Sequence, residues 1–140
     1  YSMAVIKPYS IVESKNVGIS SLEYWDTGII FIKIIDKVEI ELSDVKIHYE
    51  FVRSKFDGTN KCCVLVDPGK FTSLTKDARE FSQRPESNEM TLATAVIIRS
   101  LAHRIVINFM INIIHQQTMK MKMFDSKEKA IEWLLSQMNK

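Results

Sequence analysis

The chain has 140 residues, a formal net charge of +2, a hydrophobic share of 46% and two cysteines. A chain of this length forms one domain that buries roughly two thirds of its unfolded surface, so it needs neither disulfide nor metal to hold a core. Scattered Lys and Arg in near-neutral balance argue against a nucleic-acid partner, which calls for a clustered basic face.

Cys62 and Cys63 are adjacent. On a strand they point to opposite faces, so they read as reduced core residues, not a disulfide. The opening residues lack a long apolar signal segment, and Arg99, His103 and Arg104 break the longest apolar stretch. No membrane span and a cytoplasmic location are therefore expected.

In chain order, residues 1–16 read as a loose lead-in to a single domain over 17–140. Residues 19–25 form a strand, Asp26-Thr27-Gly28 a turn, and residues 28–35 a strongly β-branched second strand, which makes an initial hairpin. A short strand follows at 38–40. Ser43 is the expected cap of the first helix, with Asp44 in its first turn. Val45, Tyr49, Val52 and Phe56 share one face of that helix. The apolar run 62–66 fits a central strand covered on both sides.

Thr75 caps a second helix with Ala78 and Phe81 on its apolar face, and Pro85 ends it. Residues 91–98 form another buried strand. Ser100 caps a third helix reaching about His115. Residues 118–124 alternate Met with Lys, the pattern of a half-exposed strand. The last helix opens at Asp125, with Glu128 in the reciprocal capping position and Ile131, Leu134, Leu135 and Met138 on its apolar face. Strands alternating with helices predict an α/β fold. Its central mixed sheet has about five strands, flanked by about four helices.

The segments Gly28-Ile29-Ile30, Val64-Leu65-Val66-Asp67, Leu74-Thr75-Lys76-Asp77-Ala78-Arg79, Phe124-Asp125-Ser126, Ala130-Ile131 and Trp133-Leu134 together carry a resemblance. The chain resembles the SpoIIAA-like architecture, which holds the STAS domains and, more distantly, the Sec14/CRAL-TRIO lipid-binding domains. Within it the chain looks most like stand-alone bacterial STAS/Sec14-type proteins. In the family's anti-sigma-factor antagonists a strand ends in Asp, and the next helix opens with an Asp-Ser pair whose Ser a partner kinase phosphorylates. Here Thr75 stands at that Asp position and Lys76 at that Ser, so the acceptor hydroxyl is missing.

Asp67, Lys70, Thr72, Ser73, Thr75, Arg99 and Ser100 fall at the expected sheet edge, where helix N-termini favour anions. They form the candidate ligand or switch loop, with Ser73 and Thr75 the hydroxyls placed for modification. In the third helix the polar stripe is narrow: Arg104, Asn108 and His115, with Asn112 beside it, Ile111 inside and Ile107 on the margin. An apolar arc this wide exceeds what one sheet covers. A homodimer through Arg104, Ile107, Asn108, Ile111 and His115 is the expected consequence; shielding of a lipid-like ligand is the alternative.

No Gly-rich phosphate loop, G-x-S-x-G elbow or metal-spaced His/Cys set occurs, so no cofactor, metal or catalytic residue is expected. The expected function is a non-enzymatic regulatory or protein-interaction module with a possible regulatory protein partner. The alternative is a carrier or sensor of a small apolar ligand.

Overall fold

Strands made of unbroken β-branched runs need cover on both faces, and the fold of this chain supplies it unequally. A computed structural model describes residues 9–115, 117 and 119–139. In chain order the elements are β1 (Ile11–Val17), β2 (Ser20–Trp25), β3 (Ile29–Ile34), β4 (Glu39–Ile40), α1 (Leu42–Lys55), β5 (Cys62–Asp67) and β6 (Ser73–Leu74). They continue with α2 (Lys76–Gln83), α3 (Pro85–Asn88), β7 (Thr91–Ile97), α4 (Leu101–Ile114), β8 (Lys120–Phe124) and α5 (Lys127–Met138). A six-stranded sheet has the order β1-β2-β3-β5-β7-β8, and β4 pairs with β6 in a two-stranded one. The β1–β2–β3 part is antiparallel and the β3–β5–β7–β8 part parallel.

Alternation along each strand sorts its side chains between the two faces. Trp25, Ile29, Phe31, Cys63, Leu65, Ala93, Ala95 and Ile97 point to one side, where Ala130, Ile131 and Leu134 of α5 complete a packed core. Leu22, Ile30, Ile32, Ile34, Cys62 and Val64 point to the other, toward Phe51 and Val52 of α1. Cys62 and Cys63 thus lie in different cores as free thiols. Burial of each fully covered Leu or Ile contributes roughly 1.5–3 kcal/mol.

The mixed α/β class and the initial hairpin are as the sequence predicts. Several boundaries differ. Residues 11–16, expected as lead-in, belong to a sixth strand: β1 pairs along β2 from Ile11 to Val17. Its side chains are almost all exposed, so it lacks the apolar alternation that would mark it. Residues 1–8 of that lead-in and Thr118 lie outside the described residues. Glu41, not Ser43, caps α1, and its amide donates to the Asp44 carboxylate at 2.9 Å. Ser126, not Asp125, caps α5, accepting the Lys129 amide at 3.2 Å. Thr75 and Ser100 cap α2 and α4 as expected. Pro85 ends α2 and also opens the single turn α3, where its missing N–H costs nothing.

Candidate functional site

The second face of the sheet is not filled. Ile32 and Ile34 of β3, Val64 and Val66 of β5, and Thr94 and Val96 of β7 form the floor of a cavity of about 310 Å³. Val45, Tyr49 and Val52 of α1, Phe81 of α2, and Val106, Ile107 and Met110 of α4 form its walls, closed on one side by Met119 and Met121. The gap has a simple origin. The floor side chains over β5 and β7 are the short Val64, Val66, Thr94 and Val96, and α4 leans on β8 and α2, not across the middle strands.

The polar groups that line the cavity are mostly committed to partners within its wall. The Thr94 hydroxyl donates to the Met119 sulfur at 3.2 Å. The Asn88 amide donates to the Ser82 and Arg84 carbonyls and to Gln117 Oε1. His48 Nε2 lies 2.6 Å from Ser20 Oγ. Burial pushes the His48 imidazole down to about 4, against the opposing pull of Asp44, so the ring is neutral near pH 7. His103 is also held low, chiefly by burial. Its Nδ1 accepts the Arg99 backbone N–H at 3.3 Å, which leaves the ring proton on Nε2 to donate to Thr72 Oγ1 at 3.0 Å.

Asp67 ends β5 at the rim but shares the parity of Cys63 and Leu65, so it belongs to the α5 side of the sheet. Its buried carboxylate accepts Arg99 Nε at 3.1 Å and Nη2 at 2.6 Å in a bidentate pair, the Gly69 amide at 3.2 Å, and lies 3.6 Å from Lys33 Nζ. Burial alone would raise its pKa. The Arg99 and Gly69 hydrogen bonds and the two cations outweigh that and hold it below the usual carboxylate value. Gly69 is fixed by space as well as by its φ of +76°: a Cβ there would sit 2.6 Å from the Ile34 carbonyl oxygen and 2.7 Å from that of Ile35.

The expected loop residues therefore separate. Asp67 and Arg99 pair with each other. Thr72, His103 and Ser100 form a second chain, because Ser100 Oγ caps the His103 amide at 3.1 Å. Lys70 turns away, its backbone bonded to Asp36 and Lys37. The Thr75 hydroxyl accepts the Ala78 amide, and Ser73 is exposed. On α4, Arg104, Asn108 and His115 are exposed, as expected of the polar stripe, but Ile107 and Ile111 are half-buried and Ile107 lines the cavity. The apolar side chains left in solvent are Leu101, Ile105 and Phe109. The cavity-lining His48, Thr94, His103 and Met110 were not assigned to a site from sequence. A threonine in the middle of a buried strand and a histidine on an apolar helix face were the signals available.

A mixed sheet of this order, with α5 alone on one side and α1, α2 and α4 on the other, defines a SpoIIAA-like fold. An uncharacterized protein of the DUF3478 family from Shewanella loihica PV-4, with a SpoIIAA-like fold, superposes with a TM-score of 0.57. That match has 13% sequence identity and covers 92% of this chain and 97% of the other. The chain belongs to the DUF7793 family, a domain of unknown function whose sequence profile matches residues 24–138. No curated protein matches it. Among the described residues, no helix is long and apolar enough to cross a membrane.

Proposed function

We propose that this protein is a non-catalytic binding domain that takes a small apolar ligand between its sheet and α1, α2 and α4. The supporting observation is the cavity of about 310 Å³ with an apolar floor and internally satisfied polar groups. A cavity of about 150 Å³ holds benzene, so this one suits a ligand of about a dozen non-hydrogen atoms. Because Thr72, Thr94, His103 and Asn88 already have partners, the ligand needs few hydrogen bonds of its own, and a charged group inside would be costly. A carrier or sensor role follows from such binding.

The test is a series of straight-chain primary alcohols of increasing length, read by thermal shift and by native mass spectrometry. Stabilisation should peak near about a dozen heavy atoms and vanish in Val106→Phe, which fills the space from α4. If no member of the series raises Tm, or if Val106→Phe responds as the parent does, the reading fails.

A regulatory role, as the STAS likeness implies, is the second reading. It is favoured by the exposure of Ser73 in β6, just before α2. Its check is Ser73→Asp, which should alter the capture of a partner protein; because Ser73 also lines the cavity, Val106→Phe, which fills the cavity, should leave that capture unchanged.

A further inference from the structure

Five large apolar side chains stand in solvent around the C-terminal edge of the parallel strands and down α4: Ile35 at 55% exposure, Phe71 at 74%, Leu101 at 72%, Ile105 at 62% and Phe109 at 59%. Hydrogen bonds and close approaches tie four of them into one rim. Gly69 lies against the Ile35 carbonyl, and the Lys37 amide donates to the Lys70 carbonyl at 2.8 Å. Phe71 follows directly, and its neighbour Thr72 is bonded to His103, which sits on α4 between Leu101 and Ile105. Phe109 lies about 12 Å farther along the α4 axis from Leu101.

Phe71 is held with φ of +57°, a left-handed conformation that a bulky residue adopts only where its surroundings impose it. Here it leaves the ring projecting from the surface. The same rim is cationic. Lys33, Lys37, Lys70, Arg99 and Arg104 are all exposed. Asp67 is buried beneath Arg99 and Lys33, and the exposed carboxylate of Asp36, which accepts the Lys70 amide, offsets only one of Lys37, Lys70 and Arg104. Asp125, beyond β8, is paired with Lys129.

We propose that this rim, with Phe71, Leu101 and Ile105 at its centre and Lys37, Lys70 and Arg104 around them, docks the protein on an anionic lipid surface. The apolar side chains enter the headgroup boundary and the cations meet lipid phosphates. Charge decides between this occupant and a second copy of the chain. A two-fold interface centred on α4 would set Arg104 against its copy, and α4 carries no acidic residue to meet it.

The docking does not depend on the ligand cavity. The experiment is co-sedimentation with vesicles of phosphatidylcholine alone and of phosphatidylcholine with roughly one third phosphatidylglycerol, at low and high salt. Binding to the anionic vesicles only, and weakened by salt, is expected. Phe71→Ser and Leu101→Ser should each lower it about tenfold while leaving Tm near the parent's, because both side chains are exposed. Lys70→Glu should lower it by a similar factor. The proposal is overturned if anionic vesicles do not bind. It is equally overturned if the two serine variants bind as the parent does, or if polyglutamate is bound as tightly as the vesicles. A concentration-dependent dimer by light scattering that Leu101→Ser abolishes would assign the surface to a second copy and overturn it as well.

Discussion

The two faces of the six-stranded sheet are built from the same strands and behave differently. On one, α5 lies over Cys63, Leu65, Ala93 and Ala95, and the alanines let the helix approach until Ala130 and Leu134 have no exposed surface. On the other, three helices share the cover, and α4 stands away from the middle strands above a cavity of about 310 Å³. The difference teaches that β-branched content makes a strand central but does not fill the space above it. Filling depends on side-chain size at paired positions: alanine under a helix closes the gap, while valine and threonine under a helix anchored elsewhere leave one.

Truncation should expose the contrast most strongly. Leu134→Ala on the α5 face should cost about 4 kcal/mol in denaturant unfolding, whereas Ile107→Ala beside the cavity should cost about 1 kcal/mol. Equal losses would break the comparison.

Acid should act on the cavity face next. The His48 pKa is lowered from 6.5 to about 4, so below pH 6.5 the unfolded chain takes up a proton that the folded protein refuses. Stability contributed by the neutral ring is complete above pH 6.5 and declines as pH falls toward 4. The total loss is about 3 kcal/mol, and His103 adds in the same direction. His48→Gln should flatten that limb of a stability-against-pH curve.

Added bulk should separate the faces by a smaller amount. Ala95→Leu should destabilise by about 2 kcal/mol, while Val106→Phe should be tolerated within about 1 kcal/mol because it grows into space. Melting temperatures of the two variants check this.

Base should act on the α5 face. Burial raises the Cys63 thiol to about 11, with Cys62 adding to the rise and the Ala93 backbone amide opposing it. Stability from the protonated thiol is present below the ordinary value of 9.0 and is lost as pH rises through about 11. Cys63→Ala should soften that alkaline decline, and a thiol reagent should label Cys63 only as the chain unfolds.

Much of this was legible in residues. The run Cys62 to Val66 declared a strand covered twice, and Thr75 and Ser100 declared helix starts, because capping hydroxyls act within one turn. The β1 strand was illegible because its side chains face solvent on both sides, leaving edge pairing as its only cause. Asp67, expected in the ligand loop, shares the parity of Cys63, but only the packing of α5 over Cys63 and Leu65 shows that this is the side away from the crevice over Val64 and Val66. The reading of α4 rested on Ile107 and Ile111 standing in solvent, whereas the chain itself half-buries both. Which apolar residues were left outside was not readable, because the helix rotates to put Val106 and Met110 over the cavity and Leu101, Ile105 and Phe109 in solvent.

Sequence alone determined most of the elements, β1, β6 and α3 excepted, with their order and the side chains that share a face, since these follow from local periodicity and caps. Only the tertiary structure decided how far each helix stands from the sheet. That distance comes from volumes contributed by β3, β5, β7 and α4 together, and no single segment encodes it. It sets both the space under α4 and the apolar rim above it.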